Sequence, residues 1–313
     1  MPFADLHCDT IAWMRHERLA GKSMDLRDTY RMHVNLEKLR ASGYYLQNFA
    51  LFVNLAETKD PWGTVLSLAE LYISEVEKNR DRVTPCHTFS DMETARQEGK
   101  VAAVLTVEEG GVCRGDLNNL RTLHRLGVRM LTLTWNHENE IGFPNGSDGG
   151  LKPFGYEFLA EMEQLGVIAD VSHLSDQGFW DVCQAAKRPF VASHSSCRAL
   201  WPHRRNLTDE QIKALADRGG IAGVNFYSDF LADSPTTRTA DIVRHMKHMR
   251  NVGGLEVVAL GSDFDGITCP LEMVDASGMD QLVREMERAG FTQREIEAIT
   301  WKNVWEFYKN TLR

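Results

Sequence analysis

The first residues that could carry chemistry stand almost at the start of the chain, in the stretch ADLHCDT from Ala4 to Thr10. The stretch has the composition of a strand, and side chains at positions i and i+2 of a strand point the same way. His7 and Asp9 therefore share one face. An isolated pair of this kind has two explanations: a polar strand face that meets solvent, or two metal ligands at the end of a strand.

Similar residues stand at the ends of other short apolar runs. Glu108 ends VAAVLTVE, His173 ends VIADVSH, His194 lies in PFVASHS and Asp263 lies in VVALGSDF. Each has an ordinary structural explanation by itself, such as a helix cap for His173, a hydrogen-bonded core histidine for His194 or a tight turn for Asp263. Of Glu108 and its neighbour Glu109, we expect one to be solvated.

Taken together, these residues predict a metal centre. Three histidines, two aspartates and one glutamate form a nitrogen and oxygen donor set that suits zinc, or less readily manganese. The set is too large for one tetrahedral zinc ion, so it predicts two ions. Glu108 can bridge such a pair through its two carboxylate oxygens.

The elements that must position these residues alternate between short β-branched runs and longer amphipathic runs. Strand, helix and strand repeated in this way favour parallel pairing with crossover helices, and eight units close into a (β/α)8 TIM-type barrel. An open doubly wound sheet is the alternative, but no Gly-rich phosphate loop follows the first strand. The eight predicted strands are 4–10, 43–53, 101–108, 129–135, 167–173, 189–195, 220–226 and 257–264.

Helical patterns fill the intervals between these strands. Leucines repeat at a spacing of three between Asp116 and Leu126, a second pattern runs from Phe154 to Leu165, and Thr208 opens a third in capping-box form. The tail, 292–313, predicts two extra C-terminal helices that pack on the outside. No composition shift marks a boundary, so we expect one barrel domain over residues 1–313, with long loops at 54–100 and 136–152 lying over the active face.

Composition excludes several classes of function. The formal charge of −9 argues against a nucleic-acid partner, because phosphate binding needs clustered Lys and Arg. The six cysteines are scattered and form no disulfide framework, as is usual in a reducing compartment. The sequence also shows neither a signal-like start nor a long apolar stretch. We therefore expect a cytoplasmic protein without a membrane partner. We expect the remaining histidines, at positions 16, 33, 87, 124, 245 and 248, at the surface.

Several motifs in one order and spacing make the chain resemble the membrane dipeptidase (renal dipeptidase) family of zinc peptidases, family M19. They are LHCDT, VEEGG followed by DLNNLRTLHRLGVRMLTLTWN, DVSHLS, ASHSSCRAL, HRRNLTDE, VNFY and GSDFDG. The resemblance covers nearly the whole chain and implies a (β/α)8 barrel with two zinc ions. It implies that His7 and Asp9 hold one zinc, that His173 and His194 hold the other, and that Glu108 bridges them.

The resemblance also implies a reaction. Two zinc ions would share a bridging hydroxide that attacks the peptide carbonyl, Asp263 would handle the proton as the catalytic residue, and Arg205 would bind the substrate carboxylate. The substrates would be dipeptides, including those with a C-terminal D-residue, and the chain would pair into a homodimer. Many members carry a carbonyl-polarising histidine where this chain has Trp135, so we expect Trp135 to lie at the substrate-binding site. Asn136, His137 or Asn139 replaces that histidine, or its role is lost.

Two other functions stay open at this point. Metal-dependent hydrolases of small amides or lactams are barrels too, but they usually carry H-x-H on the first strand and often a modified lysine as the bridge, where this chain has H-x-D and Glu108. A non-catalytic descendant used as a binding protein would be expected to lack ligands, whereas every candidate ligand is present.

Overall fold

A computed structural model describes residues 1–312. The strands are β1 Phe3–Asp5, β2 Tyr44–Phe52, β3 Val83–Pro85, β4 Val101–Glu108, β5 Val128–Thr132, β6 Ile168–Asp170, β7 Val191–Ala192, β8 Ile221–Val224 and β9 Val258–Leu260. They pair in parallel in the order β2-β1-β9-β8-β7-β6-β5-β4, and pairing of β2 with β4 closes the sheet into an eight-stranded barrel. The predicted (β/α)8 barrel is therefore confirmed.

One strand was not predicted from the sequence. β3 pairs with the first residues of β4, where Val83 lies opposite Val101, and it stands outside the closed set of eight. It follows a long helix within the stretch 54–100, which was expected to be a loop. Only Val83 of its three residues is buried. The strand is therefore too short to show the alternation of apolar and polar residues from which a strand is predicted.

Helices surround the barrel, and the helices predicted before β5, before β6 and at Thr208 are all present. Thr208 forms the predicted capping box with Gln211. The α-helices are α1 Thr10–Leu19, α2 Leu36–Ser42, α3 Pro61–Lys78, α4 Phe89–Gln97, α5 Leu117–Arg125, α6 Pro153–Leu165, α7 Asp176–Ala185, α8 Asp209–Asp217, α9 Thr239–Gly253, α10 Met279–Arg288, α11 Gln293–Glu297 and α12 Asn303–Thr311.

The C-terminal helices differ from the prediction in position and shape. α11 and α12 form one continuous helical run through a π-helical turn, Ala298–Lys302. The run covers the end of the barrel at which the strands begin, because Asn303 donates to the carbonyl oxygens of Leu255 and Val258 beside the start of β9. The hydroxyl of Tyr308 enters the barrel and donates to Oδ1 of Asn48 at 2.9 Å.

Two apolar layers hold the barrel together. The interior layer joins residues from several strands, including Ala4, Leu46 and Val104, to Tyr308 of the C-terminal run. The outer layer packs the opposite strand faces against the surrounding helices. Since both faces of the parallel strands are covered, the strands read as continuous apolar runs rather than alternating ones.

The opposite end of the barrel is built from tight turns. β4 ends at Glu108 as predicted, whereas the other seven strands of the barrel end one to five residues earlier than predicted, so the polar residues other than Glu108 lie in the turn after each strand. His173 and Asp263 adopt left-handed backbone conformations, with φ of 68° and 63°. Such values are uncommon for residues other than glycine, though His and Asp tolerate them better than most. These turns direct the two side chains back over the barrel.

One of the surface histidines was wrongly predicted. His245, on α9, is fully buried, and it links the backbone amide of Cys197 to the carbonyl of Leu231.

Among residues 1–312, none of the helices combines the length and apolar character needed to cross a membrane.

Candidate metal centre and active site

The polar residues predicted from the strand ends meet in one cluster. Nε2 of His7 lies 3.5 Å from Oδ2 of Asp9 and 3.3 Å from Oε2 of Glu108. Oε1 of Glu108 lies 2.9 Å from Nε2 of His173 and 3.4 Å from Nε2 of His194. All five side chains are buried. The structure therefore brings the five predicted metal ligands together.

Glu108 divides this cluster into two halves. Its Oε2 faces His7 and Asp9, and its Oε1 faces His173 and His194. The final residue of β4 projects over the barrel, so one carboxylate reaches ligands that follow three other strands, β1, β6 and β7. This arrangement is the one required of a carboxylate that bridges two cations.

The hydrogen bonds behind His173 and His194 determine which ring nitrogen faces the cluster. Oδ1 of Asn136 accepts from Asn145 and can only accept, so Nδ1 of His173, at 3.0 Å, carries the proton. Ser193 donates its hydroxyl proton to Asp170 and so accepts from Nδ1 of His194 at 2.7 Å.

Both Nε2 atoms then present lone pairs toward each other across 2.9 Å. Two facing lone pairs beside the Oε1 atom of Glu108 repel unless a cation lies among them. The second half of the cluster also needs a cation, because Nε2 of His7 and Oδ1 of Asp9 are buried without a hydrogen-bond partner in residues 1–312. The donor set therefore fits bound metal ions.

The electrostatics of the cluster also favour a bound cation, because its buried carboxylates need a positively charged partner. Burial and the charge of Glu108 raise the pKa of Asp9 well above its usual value. Burial opposes a charged imidazole at His7, but the carboxylates of Glu108 and Asp9 outweigh burial and raise its pKa. Burial, helped by the charge of Arg205, lowers the pKa of His173 to about 4, so this imidazole is neutral and free to bind a metal.

Asp263 stands at the edge of the cluster, where it meets the open cavity. Its Oδ1 lies 3.9 Å from Nε2 of His7, and its Oδ2 accepts from the side-chain amide of Asn225 at 2.9 Å. Burial raises its pKa. Gly266 leaves room for this arrangement, because a methyl group there would collide with Oδ2 of Asp9 and Oδ1 of Asp263.

Glu109 is buried as well, contrary to the expectation that one of the two glutamates is solvated. It accepts from the backbone amides of Gly111 and Trp135 and from the side chain of Asn139. Burial raises its pKa to about 7. Its φ of 102° turns it away from Glu108, so it ties the loop after β4 to the loop after β5.

A cavity of about 620 Å³ opens over the cluster. Trp135 and Asn136 line it, whereas Asn139 is occupied by Glu109 and His137 is bound to Asn54 at 3.2 Å. The ring of Trp135 packs 4.9 Å from that of Phe52, between ring centres. Of the three residues considered as replacements for the missing histidine, Asn136 is the one that reaches the cavity wall.

Arg205 is buried close to the cluster, beside His194, and is not among the residues that line the cavity. Its guanidinium carbon is 5.4 Å from the ring centre of Phe230, and one nitrogen donates to the carbonyl of His194 at 3.3 Å. Its Nε atom is buried without a partner in residues 1–312. Burial lowers its pKa to about 10, which leaves it charged at neutral pH.

The sequence did not reveal the residues that support the ligands. Asp170 accepts from Thr132, from Ser193 and from two backbone amides, and so it fixes the turn that carries His194. Asn225 supports Asp263 by donating a side-chain hydrogen bond to its Oδ2. Asp170 is the last residue of β6, but it lies inside the predicted strand 167–173, so its position in the sequence did not distinguish it.

Comparison with known proteins agrees with this geometry. The family model described as membrane dipeptidase (peptidase family M19) matches residues 1–311. An uncharacterised dipeptidase of Schizosaccharomyces pombe is 32% identical over 98% of this chain and 80% of its own length.

Two solved structures share the fold over essentially the whole chain. The dipeptidase AC, a metallopeptidase of family M19, superimposes with a TM-score of 0.93 at 25% identity and covers 100% of this chain and 99% of its own. A metallopeptidase of Rhodobacter sphaeroides, solved with a phosphinate mimic of the dipeptide L-Ala-D-Ala, gives a TM-score of 0.93 at 25% identity and covers 99% of both chains. The chain therefore belongs to the membrane dipeptidase family, peptidase family M19, and is a metal-dependent peptide-bond hydrolase.

Proposed function

We propose that this protein is a zinc dipeptidase that uses two metal ions held by His7, Asp9, Glu108, His173 and His194. The observation that carries the proposal is the division of Glu108, whose two oxygens face separate pairs of ligands. When bound, a metal pair of this kind acidifies a water molecule and polarises a carbonyl group. Imidazole and carboxylate ligands suit zinc, which is the ion we propose.

Asp263 is the residue we assign to proton transfer. It lies beside the cluster and lines the cavity, and Asn225 holds one of its oxygens in place. The other oxygen is free to take a proton from the attacking water and to deliver it to the leaving amine. Burial raises the pKa of Asp263, so its carboxylate binds a proton more readily than an exposed one, which suits a group that must accept a proton and then release it.

We assign Arg205 to the carboxylate of the substrate, because its guanidinium lies beside His194 and its buried Nε has no partner in residues 1–312. A planar guanidinium can bind a carboxylate with two parallel hydrogen bonds, which an ammonium group cannot do. A substrate whose free carboxylate lies one residue beyond the cleaved bond is a dipeptide. Longer peptides would place their carboxylate elsewhere, so we expect the enzyme to reject them.

Tolerance of a C-terminal D-residue is part of the same proposal. Its support is the Rhodobacter sphaeroides metallopeptidase, whose bound mimic has that stereochemistry. We further propose a cytoplasmic location, in keeping with the six free thiols. The homodimer suggested by the family resemblance stays a prediction.

The test is a panel of L-L, L-D and D-L dipeptides, with a tripeptide and a lactam, assayed on the zinc-loaded protein. We expect dipeptides to be cleaved and the tripeptide to stay intact. Hydrolysis of the lactam alone would favour an amidohydrolase of another substrate class. The Asp263→Asn variant should keep its zinc and lose roughly a hundredfold or more in kcat; a rate near that of the unmodified enzyme would remove the proposed proton transfer.

A further inference from the structure

The cavity extends well beyond the metal centre, along one face of α1. Asp9 caps this helix, and Ala12, Trp13 and His16 follow it along the cavity wall at helical spacing. At 1.5 Å per residue, the wall from Asp9 to His16 is roughly 10 Å long. A dipeptide backbone held at the metal ions would leave this part of the cavity to a side chain.

The wall opposite α1 comes from the end of β2 and from α3. Phe52, which pairs with Glu108, and Val53 lie beside the metal centre, and Leu68 lines the cavity from α3. Together with Ala12 and Trp13, these residues form an apolar pocket, which we call the annex.

Trp13 is the most prominent side chain of the annex. Phe52 and Trp135 pack their rings against each other at 4.9 Å. Trp13, by contrast, makes no ring–ring contact with another aromatic side chain of residues 1–312, and it is only partly buried. An unpaired indole on the wall of an apolar pocket offers a large contact area to a ligand group.

The geometry of the barrel decides which end of a substrate would meet the annex. Arg205 follows β7, whereas the annex follows β1 and β2, and β2 and β7 lie on opposite sides of the eight-stranded barrel. If Arg205 holds the carboxylate, the N-terminal residue of a dipeptide points toward α1. This step rests on the proposed function.

We propose that the annex binds the side chain of the substrate's N-terminal residue and selects dipeptides in which that residue is large and apolar or aromatic. The outer end of the cavity is polar, with Arg15 and Glu57. Arg15 donates to Ser67 and Glu57 accepts from Asn54, and neither forms an ion pair within residues 1–312. Arg15 and Glu57 carry opposite charges, so the pair favours neither an acidic nor a basic side chain.

The experiment compares kcat/KM for dipeptides X-D-Ala, with X as Gly, Ala, Leu, Phe, Asp or Arg, on the zinc-loaded enzyme. We expect Leu and Phe to exceed Gly by roughly 10- to 100-fold, the range that burial of such side chains gives. The reverse series, Gly-D-X, should show a much smaller dependence on X. Free L-Phe should also inhibit more strongly than glycine, which measures binding without turnover.

Variants locate the selectivity in the annex. Trp13→Ala should reduce the ratio of Phe-D-Ala to Gly-D-Ala by at least tenfold, and Trp13→Phe should restore most of it. Ala12→Leu, which fills the annex from the same helix, should lower the ratio without removing an aromatic ring. Tyr30→Ala is the matched control, because Tyr30 is 78% exposed and does not line the cavity.

Each other outcome contradicts the inference in a distinguishable way. A flat X-D-Ala series, a preference for Asp or Arg, or size selectivity found only in Gly-D-X would overturn the role of the annex while leaving dipeptide hydrolysis intact. No cleavage of any dipeptide by a protein that holds its zinc would overturn the proposed function itself.

Discussion

The hydroxyl oxygen of Ser193 lies 2.7 Å from Nδ1 of His194, on the side of the imidazole that faces away from the cluster. Ser193 in turn donates to Asp170 at 2.6 Å. This chain sets the tautomer of His194 and directs its Nε2 toward the proposed metal ions. Supporting contacts of this kind usually contribute 10- to 100-fold to metal affinity.

We therefore expect Ser193→Ala to bind zinc roughly 10- to 100-fold more weakly, measured by competition with a chromogenic chelator. The variant keeps the imidazole, so its zinc content at saturating metal should match that of the unmodified protein. Ser90→Ala is the control, because Ser90 is exposed on α4. Equal affinity in all three proteins would show that Ser193 does not position His194.

Glu108 gives a prediction about stoichiometry. Its two oxygens face separate pairs of ligands, so Glu108→Ala should weaken both halves of the centre and reduce the bound zinc from roughly two ions per chain to one or fewer. The measurement is elemental analysis after gel filtration.

Glu109→Gln is the matched control for Glu108→Ala. Glu109 is buried beside the bridge but faces away from it, and glutamine keeps its size and one accepting oxygen while removing the charge. We expect this variant to keep the zinc content of the unmodified protein. Loss of zinc from Glu109→Gln but not from Glu108→Ala would exchange the two assignments.

The fold and the ligands could be predicted because both depend on regular patterns. Short apolar runs alternate with amphipathic ones, and parallel strands place their final residues at one end of a barrel, so residues such as Glu108 and His194 could be grouped without knowledge of their contacts. The side chains of His7 and Asp9 both point into the cluster, as predicted for one strand face, although β1 ends before them at Asp5.

The supporting residues could not be predicted because their partners come from irregular loops. Glu109 is buried because the backbone of Trp135 and the side chain of Asn139, both after β5, reach it. No periodicity in the sequence indicates such contacts. His245 was wrongly predicted at the surface for the same reason: its hydrogen-bond partners, Cys197 and Leu231, lie in two different loops.

Gly266 gives a prediction about space. A methyl group at this position would collide with the carboxylates of Asp9 and Asp263. Because neither carboxylate can withdraw without leaving the cluster, Gly266→Ala should lose zinc from the half of the centre that contains His7 and lower kcat by at least tenfold.

Its control is Gly99→Ala, since a methyl group at Gly99 meets no atom within 4 Å. The φ of 67° at Gly99 makes that change mildly destabilising, but it should leave zinc content unchanged. A Gly266→Ala protein with full zinc and full activity would show that the ligands near this glycine can adapt.

His245 gives a prediction about pH that does not involve the metal centre. Burial lowers its pKa to about 4, from an ordinary value of 6.5. The unfolded chain therefore binds a proton that the folded protein excludes, and the free energy of unfolding falls as pH decreases from 6.5 toward 4. The contribution of this residue is complete above pH 6.5, and its loss at pH 4 is at most about 3 kcal/mol.

We expect the unfolding free energy of the metal-free protein, measured with urea, to fall more steeply between pH 7 and pH 4 than that of His245→Asn. Subtracting the two curves removes the contribution of the other titrating groups, because both proteins share them. The variant should be less stable at pH 7, since the buried contacts with Cys197 and Leu231 are disturbed, and this deficit should shrink as the pH falls. Parallel curves over the whole range would show that the histidine is protonated, or remains accessible to water, in the folded state.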